Sequence, residues 1–301
     1  MTVLAISGQE LVQQIINGLS LGSTYALLAL GLAMVFSIMG LINFAHGELL
    51  VIGGYTMWVT LEHGVPWPVA ILCTLAASTI AAVAMERIAF RPVRGAGLVV
   101  LLITSFAISY GLQTLFQILI DPAPQGIKLP AWVDDVLHVG PYTISWLKIV
   151  TTIVTLGALA LLTLFLKRTL LGASMRAAAE DFETVRLMGV RANAVVIAAF
   201  AISGLLAGVA ALFYFSQAGA VGPTDGTFPV VKAFIAVTLG GLGSLTGAVA
   251  GGFTLGFTEV IFDATLPSGA QPFEDAFALI VVIGILLIRP SGLVGRPVGL
   301  I

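Results

Sequence analysis

Long stretches without a single Asp, Glu, Lys or Arg recur along this chain: 11–47, 63–85, 95–120, 149–166, 192–224, 233–258 and 276–288. A membrane-spanning helix needs about 20 apolar residues, so several of these intervals hold one span and the longest has room for more. Backbone amides in hydrocarbon must bond within their own segment. Apolar runs of this length without strand-like alternation therefore select helices over a barrel. Charged residues make up only 9% of the 301 residues and hydrophobic ones 58%, where soluble domains carry roughly 25% charged residues. The expected fold class is an all-α polytopic membrane protein of about 8–9 transmembrane helices, some short or broken. Residues 1–301 then form a single transmembrane domain with no room for a sizeable soluble one.

Charge placement predicts the orientation. Ten of the 13 basic residues fall in three places: Arg87, Arg91 and Arg94; Lys167, Arg168, Arg176, Arg186 and Arg191; Arg289 and Arg296. The other connections are acidic or neutral, with Glu10, Glu62, Asp121, Asp134, Asp135, Asp225, Asp263, Glu274 and Asp275. Basic short loops stay cytoplasmic. The N-terminus and the 121–147 loop are thus expected outside, and the 167–191 segment and the C-terminus inside. No Lys or Arg precedes Arg87, so a cleavable signal peptide is not expected and the first apolar stretch reads as a span. The lone cysteine, Cys73, reads as a small packing residue.

The expected spans are 11–40, 48–61, 67–86, 97–120, 146–166, 193–216, a pair within 230–262, and 273–288. The second span carries Gly53-Gly54, and the paired region Gly240-Gly241, Gly243, Gly247, Gly251-Gly252 and Gly256. Short, glycine-interrupted segments in both halves suggest broken helices around a central path; close packing through small residues accounts for the same glycines.

Polar residues in apolar surroundings are the candidates for the translocation path. In Gly40-Leu-Ile-Asn-Phe-Ala-His-Gly-Glu, Asn43 is placed to cap the following helix, with Glu48 in its first turn. That structural account leaves His46 without a role. The functional account puts Asn43, His46 and Glu48 at a gate or helix break. Glu259 either lines the interior or lies near the outer interface, one turn before Asp263. Gln113 and Gln117 share a helix face and suit interhelical hydrogen bonding or pore lining. Trp58, Trp67, Trp132 and Trp146 read as interfacial anchors.

One polar segment, Arg168 to Arg191, interrupts the apolar chain. A helix starting near Ser174 would align Ala178, Phe182 and Val185 in an apolar stripe flanked by Glu180, Asp181 and Glu183. Such a stripe suits a groove on a soluble partner; the competing account lays the helix on the membrane surface, where its acids would meet an anionic leaflet unfavourably. Several chemistries are absent. None of the four lysines follows a glycine, so there is no Walker A loop. No span carries an arginine ladder, and neither a zinc-protease motif nor a metal cluster is present.

Asn17-Gly-Leu-Ser-Leu-Gly-Ser-Thr-Tyr-Ala-Leu, Gly40-Leu-Ile-Asn-Phe-Ala-His-Gly-Glu, Glu86-Arg-Ile-Ala-Phe-Arg-Pro-Val-Arg, Arg176-Ala-Ala-Ala-Glu-Asp, Gly240-Gly-Leu-Gly-Ser and Arg289-Pro-Ser-Gly-Leu-Val-Gly-Arg occur in that order. Together they resemble the branched-chain amino-acid ABC importer permeases, specifically the smaller, LivH-type subunit, over about residues 11–297. The resemblance implies a non-enzymatic permease in the bacterial inner membrane. Its implied partners are a second homologous permease, two ATP-binding subunits and a periplasmic solute-binding protein. ATP and Mg would be bound by the partner subunits, with no cofactor or metal on this chain and no nucleic acid involved. The 170–190 segment would be the coupling helix, with Arg176, Ala178, Ala179, Glu180, Asp181, Phe182 and Gly189 as candidate contacts. Its order, Ala-Ala-Ala-Glu-Asp, departs from the general Glu-Ala-Ala importer loop.

The implied cargo is Leu, Ile, Val or a related amino acid. Similar permeases serve urea and short-chain amides, and the uncharged interior suits a small neutral or zwitterionic solute. A secondary transporter coupled to an ion gradient through Glu48 and Glu259, or a urea facilitator, would leave the polar cytoplasmic segment without a role.

Overall fold

The computed structural model of the chain describes residues 8–133, 135–140, 142–267 and 269–294. Asp134 and Arg296, which entered the orientation argument, lie outside the described residues, as do the side chains of Trp132 and Glu183.

The chain opens with α1 (Gly8–Met39), α2 (His46–Glu62) and α3 (Trp67–Met85), which runs through a π-turn (Glu86–Phe90) into the short α4 (Arg91–Val93). After α5 (Leu98–Leu119) comes a connection with β1 (Gln125–Gly126), a 3-10 turn (Ala131–Val133), β2 (Val136–Val139) and β3 (Tyr142–Ser145). Next are α6 (Trp146–Arg168), α7 (Leu170–Glu180), α8 (Phe182–Leu187), α9 (Ala192–Ala218) and β4 (Ala220–Val221). The described chain ends with α10 (Thr227–Gly240), α11 (Leu245–Thr265), a 3-10 turn (Gln271–Phe273) and α12 (Glu274–Ile288). Among the described residues six helices (α1, α3 with its extension, α5, α6, α9 and α11) are long and apolar enough to cross a membrane; α2, α10 and α12 are shorter. β2 and β3 form an antiparallel hairpin, and β1 pairs with β4. This is an all-α, multi-pass membrane protein, and its helix bounds follow the expected spans closely.

Helices that are apolar all round belong inside a bundle. In α1, 83% of the apolar window is buried, against 11% in α5, so α1 is the central post and α5 stands at the rim. Small residues bring α11 against α1: a Cβ on Gly252 would lie 2.5 Å from the Ala26 nitrogen, and one on Gly256 2.4 Å from that of Gly22. These contacts run in opposite residue order, so the two helices are antiparallel. At one end of the bundle gather the ends of α1, α3 and α10, the start of α9, and α7 with α8. This is the basic face, carrying Arg91, Arg94, Arg176, Arg186 and Arg191.

The glycine runs divide: Gly240-Gly241 and Gly243, with positive φ at Gly241 and Gly243, end α10 ahead of α11, whereas the others do not interrupt a helix. Gly53-Gly54 lies inside continuous α2, packed on Ala211 and Phe215, and Gly247 to Gly256 lies inside continuous α11. Close packing therefore accounts for them. The actual breaks precede α2, at residues 40–45, and precede α10, at residues 222–226. One further expectation is corrected: the single helix from Ser174 onward is two, because Asp181 takes an extended conformation (φ −153°, ψ 99°). Its Oδ1 accepts from the Thr184 amide at 3.0 Å and so caps α8.

Candidate translocation site

The two breaks bring the N-termini of two partial helices together inside the bundle. After α1 the chain turns at Gly40 and climbs back without helical structure to His46, where α2 begins. After β4 it descends along α2, with Val221 beside Gly54 and Gly226 beside Gly47, and there α10 begins. The approach at Gly47 is backbone on backbone: a Cβ there would lie 2.2 Å from the Gly226 oxygen, and one on Gly226 would lie 2.4 Å from the Gly47 oxygen. Phe44, in the first break, stacks on Phe106 of α5 with ring centroids 4.5 Å apart and leans on Phe234 of α10 at 5.8 Å. In the second break Asp225 accepts from the Gly222 amide at 2.7 Å, which holds the turn.

Glu48 occupies the first turn of α2 with 1% exposure. Its Oε1 accepts from Ser109 Oγ and from Gln113 Nε2, both at 2.8 Å, while its Oε2 is buried without a partner. Gln113 Nε2 also lies 3.3 Å from Thr227 Oγ1, in the first turn of α10. Four side chains from α2, α5 and α10 thus form one polar cluster. Ser109 is midway along the 22-residue α5, so the cluster sits near mid-depth of the bundle. Helix N-termini present unpaired amides and the positive end of the helix dipole, and two of them converge here beside an acid.

The other candidates fall in different places. Asn43 is buried and braces the first break: its Oδ1 accepts from the Ala45 amide at 3.1 Å. It is not the cap residue, because Ala45 holds that position without a side-chain bond. His46 is fully buried, with Nδ1 3.2 Å from Ser203 Oγ and its ring against Gly31. Tying α2 to α9 over α1 is the structural role that its sequence context did not supply. Gln117 is exposed on α5 and stays outside the cluster.

Glu259 is interior, at 3% exposure, and belongs to a second and separate network. Its Oε2 accepts from Tyr25 Oη at 2.6 Å and from Lys232 Nζ at 3.0 Å. Lys232 also reaches Asp275 Oδ1 at 2.9 Å. Sequence reasoning missed Lys232, Tyr25 and Asp275. The available signal was Lys232 itself, a basic residue between apolar stretches and outside all three basic clusters.

In the polar segment, Arg176, Ala179, Glu180, Asp181 and Gly189 are exposed, and Phe182 is half-buried. Ala178 and Val185, expected on the docking stripe, are buried at 3% and 6%. The stripe packs on the protein's own helices, because α7 is itself amphipathic and must cover its apolar side. The apolar residues left exposed on α8 and just beyond it are Leu187 and Met188. A cavity of about 810 Å³ lies beside α7, between Arg176, Ala179 and Glu180 on one side and Thr238 and Gly241 at the end of α10 on the other. α10 therefore runs from this cavity to the Glu48 cluster. No group of His, Cys, Asp and Glu among the described residues could hold a metal.

Buried polar clusters where partial helices meet inside a multi-pass bundle are an arrangement that a membrane permease uses. The chain belongs to the family described as branched-chain amino acid transport system / permease component, which matches residues 14–286. It is 38% identical to the high-affinity branched-chain amino acid transport system permease protein BraD of Pseudomonas aeruginosa PAO1, over 95% of this chain and 96% of that one. It is 34% identical to LivH of Escherichia coli K12, a protein of the same description, over the same shares. The autoinducer 2 import system permease protein LsrC of E. coli K12 (DH10B) is 29% identical over about half of this chain, 49%, and 43% of its own. No solved structure matches the chain.

Proposed function

We propose that this chain is the translocation subunit of an ATP-driven importer of branched-chain or closely related amino acids, and that solute passes the Glu48 cluster. The carrying observation is the buried, half-satisfied Glu48 where the N-termini of α2 and α10 meet. A zwitterion suits that arrangement. Helix N-termini favour an α-carboxylate, as in transporters built on discontinuous helices, and the free Glu48 oxygen can accept from an ammonium group. The identities to BraD and LivH support the choice of substrate class. Glu48 and Glu259 stand in separate networks, which gives an ion-coupled mechanism no shared site.

In this reading the whole chain is one transmembrane domain in the inner membrane, with the basic face cytoplasmic by the positive-inside rule. The 121–147 connection then faces the periplasm, where a solute-binding protein would deliver cargo. α7 and α8 dock on an ATP-binding subunit through Arg176, Ala179, Glu180, Asp181 and the residues around Gly189, while Ala178 supports them from beneath. A second permease completes the path, and ATP and Mg stay on the partner subunits. Motion at α7 crosses the cavity to the end of α10, a rod of about 21 Å at 1.5 Å per residue, and tilts its N-terminus against Glu48.

The test is uptake and ATP hydrolysis by the complete complex in proteoliposomes. Leucine uptake that urea does not match is expected. Ala179→Arg, at the exposed dock, should release the ATP-binding subunits or uncouple hydrolysis from uptake while leaving membrane abundance near wild type. Normal coupling in that variant removes α7 from the mechanism. A cysteine at Asp121 should react with an impermeant reagent in intact spheroplasts; reaction only after permeabilisation reverses the orientation.

A further inference from the structure

A second pocket, of about 760 Å³, opens on the basic face where α4, α8 and the start of α9 meet. Four guanidinium groups line it, those of Arg91, Arg94, Arg186 and Arg191. Arg94 is held on one side by the buried carboxyl of Glu86 and on the other by Asn193 Oδ1 at 2.9 Å. Its buried Nε has no partner. Arg91, Arg186 and Arg191 are exposed, and none of the ion pairs among the described residues involves them. Glu86 answers Arg94, and the other three guanidiniums line the same concavity outside the ion pairs of the described residues. No side chain caps α9, a 27-residue helix that starts at the pocket wall, so its dipole adds to the same positive field.

The pocket stands at the basic end of the bundle, where α3 runs out into α4 and α9 begins. Its lining turns apolar at Val190 and Ile197, and Ile88 on the adjoining π-turn is 77% exposed. A soluble anion has no use for that apolar approach, whereas acyl chains do. Basic pockets between helices at the cytoplasmic surface suit anionic headgroups, and arginine forks bind phosphate oxygens in pairs. We infer that this pocket binds the phosphodiester headgroup of an anionic phospholipid, fixing the relation of α8 to α3 and α9. The inference rests on the orientation proposed above, with the basic face cytoplasmic, and not on the substrate or the path of transport.

The test is lipid retention by the purified full-length chain, followed by native mass spectrometry with added phosphatidylglycerol or phosphatidylcholine. The wild type should retain phosphatidylglycerol selectively. Arg91→Gln, Arg186→Gln and Arg191→Gln should each weaken retention about fivefold, and the triple variant on the order of a hundredfold, from about 1 kcal/mol per basic group near a membrane surface. If the triple variant does not fold, the single Arg91→Gln and the triple Lys variant carry the test, the latter expected between wild type and Gln because lysine keeps charge but not the fork. Equal retention of both lipids, or Gln variants that bind like wild type, overturns the inference. Displacement by millimolar inorganic phosphate would make it a soluble-anion site instead. In the complete complex, loss of the ATP-binding subunits from the triple Gln variant with lipid retention unchanged would make it a protein dock.

Discussion

Glu48 and Glu259 are both acids buried in apolar helices, and the molecule treats them in opposite ways. Glu259 is paired with Lys232, bonded by Tyr25 and backed by Asp275, so α1, α10, α11 and α12 meet around a compensated charge. Glu48 forms no ion pair among the described residues, uses one oxygen for Ser109 and Gln113 and leaves the other idle. Burying a polar group without a partner costs free energy. A bundle that gives one buried acid a cation and leaves the other with a partnerless buried oxygen is built for stability at the first and for something additional at the second.

The comparison breaks most visibly at the paired end. Removing one partner of a buried ion pair typically costs about 3–5 kcal/mol, because the remaining charge is stranded. Lys232→Met should therefore sharply reduce membrane abundance and lower the melting temperature in detergent. Adding Glu259→Gln should restore much of both, since the amide no longer needs a cation and still accepts from Tyr25. A single variant that melts like wild type would mean Lys232 and Glu259 are not coupled.

Next in size is the joint between the two partial helices. Gly47→Ala places a methyl group 2.2 Å from the Gly226 oxygen, where both sides are backbone. Overpacking of this kind costs about 1–3 kcal/mol and would separate the two N-termini. Uptake should fall at least about tenfold, with a moderate loss of melting temperature. Normal uptake would show that the close approach is packing alone.

Much of this arrangement was legible beforehand, and the exceptions have physical reasons. Charge-free length placed most of the spans, because hydrocarbon allows little else. The glycine runs were read only in part, because sequence does not distinguish a glycine that admits a neighbour from one that ends a helix; Gly252 and Gly256 do the first against α1, Gly241 and Gly243 the second after α10. The break before α10 lies instead at Gly222–Gly226, where Asp225 bonds the Gly222 amide, a local turn with no hydropathy signature. Glu259 stayed undecided because its partners come from 234 and 27 positions away. The apolar stripe of α7 and α8 was readable as a stripe, yet which side it faced depends on the packing of α1, α6 and α9.

At the half-satisfied end, Glu48→Gln is the more informative change. The amide keeps an oxygen for Ser109 and Gln113, so melting should move by less than about 1 kcal/mol equivalent. Loss of the acid should lower uptake about tenfold or more in the complete complex, with the ATP-binding subunits still bound. A variant that disappears from the membrane would place Glu48 with Glu259 as a structural acid, and one that transports normally would remove it from the path.

The smallest effect tests whether the two partial helices communicate through side chains as well as backbone. Thr227 is exposed in the first turn of α10 and reaches the Glu48 cluster only through Gln113, at 3.3 Å. Thr227→Val keeps the shape and removes the hydroxyl. A neutral hydrogen bond contributes about 0.5–1.5 kcal/mol, so a change of roughly threefold to tenfold is the ceiling, and partial exposure puts the expectation near threefold. If α10 moves against α2 during transport, this bond exists in one arrangement and not in the other. Uptake should then change while melting does not, and the change should vanish in a Glu48→Gln background where the cluster is already altered. Additive effects of the two substitutions would instead place Thr227 outside the cluster, leaving Gly47 and Gly226 as the contact between the halves.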